Sequence, residues 1–73
     1  MNKYKEQWKR VFPERLKFFL EMRNMTQGEL AAKAGLTEAS MSRYANANRI
    51  PKITTVCALA DALDVTVASL YVE

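Results

Sequence analysis

Seventy-three residues, 49% of them hydrophobic and 26% charged, fit one small domain with a modest core. A single cysteine excludes an internal disulfide, and the absence of histidine removes the commonest general base and the commonest metal ligand. The formal charge of +3 is uneven, with 8 basic and 4 acidic residues in 1–35 but 3 basic and 4 acidic in 36–73. A basic domain of this kind suits an anionic partner such as nucleic acid, although solubility alone also accounts for a charge of this size.

Gly and Pro are scarce, and β-branched residues form no alternating runs, so the chain reads as all-α. In residues 3–12, KYKEQWKRVF, helical spacing brings Tyr4, Trp8, Val11 and Phe12 together, with Lys3, Lys5, Lys9 and Arg10 between them. This is a short basic amphipathic helix, treated as an N-terminal extension over 1–12 that precedes a domain over 13–73. Its aromatics could pack on the domain or stack on something external. Its basic face, residues 3–10, could be solvated, follow phosphates, dock a partner or touch a membrane surface, but about two and a half turns are too short for stable anchoring. Pro13 is expected to restart the chain as a first helical residue, with Leu16, Phe19 and Leu20 as the next apolar stripe.

Thr26 stands three residues before Glu29, the capping-box pattern, and opens a helix whose inner face is Leu30, Ala31 and Ala34. Gly35 is placed to end that helix in the left-handed conformation. Leu36 follows as an apolar plug, and Thr37 caps the next helix. At about 3.6 residues per turn, Met41, Tyr44 and Ala45 form one flank of that helix, suited to burial. The other flank carries Glu38, Ala39, Ser42, Arg43 and Asn46, which are short or hydrogen-bonding. A major groove admits one α-helix whose polar side chains read base edges. Arg43 has the fork that matches guanine, Ser42 donates or accepts, Ala39 suits a thymine methyl, and Glu38 could accept from a cytosine amino group. Any small bundle also shows polar residues outside, and that simpler reading stands beside this one.

The stretch IPK marks a loop, after which Ile53, Val56, Leu59, Ala60 and Leu63 recur at helical spacing. Cys57 falls in this apolar run and is expected to be buried as a small hydrophobe. Asp64 ends the helix, Thr66 can cap another, and Tyr71 with Val72 forms either a dimer contact or a frayed end. The methionines read as core filler. Five short helices preceded by the extension are expected, in a soluble, cytoplasmic protein with no membrane-crossing run.

The motifs TQGELAAKAGLT, SMSRY, RIP and LADALDV, in that order, resemble the helix-turn-helix domains of the phage-repressor type, the lambda repressor and Cro class. The resemblance covers roughly Pro13 to Tyr71. It implies a five-helix bundle that binds double-stranded DNA and regulates transcription, as a homodimer on inverted half-sites. Gln27 would approach a phosphate at a helix N-terminus. Thr37, Glu38, Ala39, Ser42 and Arg43 would lie at the groove, with Asn46, Asn48 and Arg49 facing phosphates from the following loop. No cofactor, metal, membrane or small-molecule ligand is implied.

The chain departs from the family in three places. Members often pair an arginine where Leu20 stands with a glutamate where Ala45 stands, and the joint loss reads as an apolar swap. Members often have NG after the third helix where this chain has Asn46 and Ala47. A positive φ at Ala47 would cost on the order of 1 kcal/mol, so Asn46 or Asn48 is expected to take that conformation instead. Glu38 is acidic where many members are neutral or basic. Two competing classes remain: a protein-interaction module such as an antitoxin or adaptor that keeps the fold without reading DNA, and an enzyme, for which no nucleophile–base pair, glycine loop or metal cluster is visible.

Overall fold

The computed structural model describes residues 3–71 and is all-helical over them. It contains α1 (Lys3–Met22), α2 (Gln27–Ala34), α3 (Glu38–Ala45), α4 (Ile53–Leu63) and a closing 3-10 turn, Val67–Leu70. Four α-helices and a 3-10 turn thus replace the expected five helices and separate extension. The last element is only four residues long, held at its start by Thr66, whose hydroxyl accepts from the Ser69 amide at 3.2 Å.

The break expected at Pro13 does not occur, and α1 runs through it for 20 residues. Proline removes one backbone donor and costs about 3 kcal/mol inside a helix. The apolar stripe, however, continues unbroken across that point: Trp8, Val11, Phe12, Leu16 and Phe19 are all buried. Each such side chain contributes about 1.5–3 kcal/mol on burial, so packing outweighs the lost bond. Trp8 stacks on Phe12 with ring centroids 4.1 Å apart, and Tyr71 tilts against it at 5.3 Å. Trp8 therefore packs inward, and Tyr71 is part of the fold. The readings for the Tyr4 side chain and for Val72 lie outside the described residues.

The core gathers Phe12, Leu16, Leu30, Met41, Val56, Leu59, Leu63 and Leu70, each nearly or wholly sealed from solvent. Helix α2 packs on both α3 and α4, while α1 packs on α3 and on the 3-10 turn. Two arginines, Arg15 within α1 and Arg23 just after it, bind this part of the chain to α4 and the 3-10 turn. The Arg23 Nε donates to the Leu63 carbonyl at 2.9 Å, and its Nη2 to the Asp64 carbonyl at 3.3 Å, a cation placed at the C-terminus of α4. Arg15 Nε donates to the Ser69 carbonyl at 3.0 Å, and its guanidinium lies over the Phe18 and Phe19 rings. Part of the basic surplus of 1–35 is thus structural.

Three other expectations need correction. Cys57 is exposed. The buried stripe of α4 runs through Val56, Leu59, Ala60 and Leu63, and Cys57 points off its outer side. Ile53, placed on that stripe by spacing, is the first residue of α4 and is 60% exposed, whereas Val56 one turn on is wholly buried. The methionines divide: Met41 is core and Met25 half-buried, but Met22 is 58% exposed.

All four α-helices stop in the same way. Asn24 (φ 52), Gly35 (φ 73), Ala47 (φ 59) and Asp64 (φ 57) are left-handed. After each, the next amide reaches back to a carbonyl five residues earlier: Met25 to Leu20, Leu36 to Ala31, Asn48 to Arg43, and Val65 to Ala60. Met25, Leu36 and Val65 also pack against the core, which fixes the exit of the chain. The stop after α3 differs, with an alanine at the left-handed position and the polar, exposed Asn48 after it. Neither Asn46 (φ −95) nor Asn48 takes the left-handed place expected of it. The backbone bond from Asn48 to Arg43 fixes the register, and Asn46 instead donates to Ser42 Oγ at 3.3 Å. Ala47→Gly should therefore raise stability by about 1 kcal/mol, read as a higher denaturant midpoint at unchanged m-value. An unchanged or lower midpoint would show that the turn carries no strain.

Candidate nucleic-acid interface

The interface begins with the turn between α2 and α3. Thr26 opens α2 with a complete capping box: its hydroxyl accepts from the Glu29 amide at 3.1 Å, and Glu29 Oε1 accepts from the Thr26 amide at 2.9 Å. The amide donated by Thr26 holds the Glu29 carboxyl below its ordinary pKa. Gly35 then turns the chain, its φ of 73 lying where a side chain would be strained, and nothing crowds the space a Cβ would fill. The glycine is needed for backbone conformation, not for room. Thr37 caps α3 by accepting from the Ser40 amide at 3.1 Å, and its hydroxyl donates to Ser40 Oγ at 3.0 Å.

Helix α3 buries Met41 and Tyr44, half-buries Ser40 and Ala45, and leaves Glu38, Ala39, Ser42 and Arg43 exposed. The exposed four lie one turn apart in two adjacent pairs, so they make one continuous ridge. Gln27, at the first position of α2, joins Gly28, Glu38, Met41 and Ser42 around a shallow cleft of about 230 Å³. Thus the start of α2 and the ridge of α3 share one face. Asn46 closes the far end of the ridge through its bond to Ser42, and Thr37, Asn48 and Arg49 are also exposed. Every residue singled out from the sequence for this face is at the surface.

Three side chains of this face, Thr37, Ser42 and Asn46, are partly committed within the protein. The Thr37 hydroxyl is used in capping α3, and Ser42 Oγ already accepts from Asn46. Arg43 and Arg49 extend long, exposed guanidinium side chains. The two positions of the apolar swap, Leu20 and Ala45, line one cleft between α1 and α3. The same cleft is rimmed by Lys17, which the sequence reading passed over because nothing in the local pattern separates it from other surface lysines.

Gly28 has a different role from Gly35. It sits in the first turn of a helix, where glycine costs about 1 kcal/mol relative to alanine. A Cβ there would stand 2.6 Å from Glu38 Oε1, the free end of an exposed side chain. The missing Cβ lets the Glu38 carboxylate lie against the start of α2, where the helix dipole favours an anion. Because that carboxylate can swing outward, Gly28→Ala should stabilise the fold by about 0.5–1 kcal/mol in thermal or denaturant melts. A loss of stability would mean that Glu38 is held on α2.

The helix-turn-helix family signature matches residues 16–70, which takes in the last third of α1 and everything from α2 to the 3-10 turn. No curated protein gives a match to the chain. Among the described residues no group of acidic or cysteine side chains is placed to hold a metal ion, and no helix is long and apolar enough to cross a membrane. With its capped α2, its left-handed glycine and its short third helix, the chain belongs to the helix-turn-helix family of the Cro and C1 type, a family of DNA-binding transcriptional regulators.

Proposed function

We propose that this domain binds double-stranded DNA in a sequence-specific way, with α3 in the major groove, and regulates transcription. The observation that carries this reading is the ridge of Glu38, Ala39, Ser42 and Arg43, exposed along its length and joined at one edge to Gln27. A helix with short outward side chains approaches base edges closely, and the major groove is wide enough for one helix. Arg43 reads a guanine through its fork, Ser42 and Ala39 contact neighbouring edges, and Glu38 accepts from a cytosine amino group once it leaves the start of α2. Gln27 and the free amides of that helix end meet a phosphate. Thr37, Asn46, Asn48 and Arg49 position the backbone on either side of the ridge, supplying affinity and register without reading sequence.

A single copy presents too few base contacts for a long site. Binding as a symmetric pair on inverted half-sites about one helical turn apart (~34 Å) supplies the rest. The cytoplasm is the compartment that fits this function. A second reading, a protein-docking adaptor or antitoxin, draws support from the exposed apolar side chains Phe18, Met22, Ile50 and Ile53. Ile50 directly follows Arg49 of the loop assigned to DNA, so a protein contact that used it would compete with DNA there, whereas Phe18 and Met22 lie on α1.

Selection of bound duplexes from a random pool at fixed salt should enrich one motif. Binding to it should weaken log-linearly with salt, with a slope of about −0.9 per phosphate neutralised. Arg43→Ala should cost about 1–3 kcal/mol and relax preference at one base pair. Recovery of no motif, with Arg43→Ala and Gln27→Ala leaving partner binding intact, would transfer the function to protein docking.

A further inference from the structure

The cleft between α1 and the ends of α2 and α3 has a volume of about 390 Å³. Its floor is Pro13, Leu16, Leu20 and Ala45, and its rim is Glu14, Lys17, Gln27 and Asn46. Three elements meet there: Lys17 comes from α1, Gln27 is the first residue of α2, and Asn46 caps the C-terminus of α3. Gln27 and Asn46 belong to the face assigned above to DNA, so Lys17 stands at the edge of that face. Lys17 is exposed and makes no ion pair with another described residue.

We infer that this cleft seats one segment of the DNA sugar-phosphate backbone, with Lys17 as a phosphate-binding residue contributed by α1. The inference rests on the proposed function and extends the same interface onto a third helix. The chemistry of the cleft matches that occupant on both counts. Deoxyribose presents C–H groups on its faces, suited to the apolar lining of Leu16, Leu20, Pro13 and Ala45. The phosphate beside it is an anion, suited to an ammonium group and two side-chain amides on the rim. An apolar floor also keeps water from one side of the Lys17–phosphate pair and lowers the local dielectric, which strengthens it. Glu14 is the one opposing charge on the rim, and it sets a limit on the affinity of this seat.

Leu20 and Ala45 line the cleft and give it an apolar wall. An arginine and a glutamate in these places would add volume and charge to that wall. The apolar swap therefore does more than keep the fold neutral: it gives the backbone an apolar wall between Gln27 and Lys17.

The test uses the full chain and a duplex that the wild type binds, titrated over a range of salt. Lys17→Ala should reduce the slope of log affinity against log salt by about 0.9, the equivalent of one phosphate, and weaken every duplex by the same factor. Lys17→Arg should restore the slope, and Glu14→Gln should tighten binding to all sequences alike. Lys33→Ala, which removes an exposed lysine from the last turn of α2, should leave the slope unchanged. Circular dichroism verifies that each variant is folded. A Lys17→Ala slope equal to wild type would overturn the inference, and so would an equal drop for Lys33→Ala, which would mean that only net charge matters. If the wild type itself binds no duplex, it is the proposed function that fails, and the two failures are told apart.

Discussion

The hydrogen bond from the Leu36 amide to the Ala31 carbonyl, 2.8 Å long, closes the turn on which the interface depends. It forms because Gly35 occupies the left-handed region without a Cβ penalty, and it leaves Leu36 packed against the core. Between that bond and the Thr37 cap the chain spends only three residues in passing from one helix to the next. A continuous helix would carry the α3 sequence away from α2. The turn instead sets α3 against both α2 and α1, so that Met41 and Tyr44 enter the core and the opposite flank faces solvent.

The other helix ends use the same backbone device with different residues, and the differences follow position in the molecule. Asn24 and Asp64 tolerate the left-handed conformation better than most side chains, and the apolar Met25 and Val65 follow them into the core. Ala47 does not tolerate it as well, and Asn48 after it is exposed. Strain in a backbone persists where the surroundings over-determine it, and sites of contact are one place where that happens. Here the strained residue lies between Asn46 and the pair Asn48 and Arg49, all on the face proposed for DNA.

Local hydrogen-bonding chemistry was the most legible part of the sequence. The caps Thr26, Thr37 and Thr66 and the stops Gly35 and Asp64 act within a few residues of themselves, so their neighbours in sequence suffice to place them. Features set by tertiary contact were not legible. Pro13 is a strong local signal for a helix start, yet burial of Trp8, Val11 and Phe12 overrides it. An apolar run assigned Ile53 and Cys57 to the core, but Cys57 falls on the outer side of α4 and Ile53 at its exposed first residue, so apolar composition did not make either one buried. Ala47 takes the strained position because a backbone bond sets the register there, against the preference of the asparagines on either side. The ridge of α3 was readable because its exposed and buried flanks differ in composition. Lys17 was not, since only folding brings α1 beside Gln27 and Asn46.

The central claim is that the turn at Gly35 holds one face of the molecule, built from the start of α2, the ridge of α3 and the loop after it, against duplex DNA. Amide NMR spectra of the isotope-labelled protein, recorded while an unlabelled duplex is added at low salt, test it most directly. The account predicts that the largest shifts cluster in residues 26–28 and 37–49, with the carboxyl end of α4 and the 3-10 turn unmoved. Shifts concentrated instead on the 3-10 turn and on Phe18 and Met22, with the α3 ridge unperturbed, would contradict it.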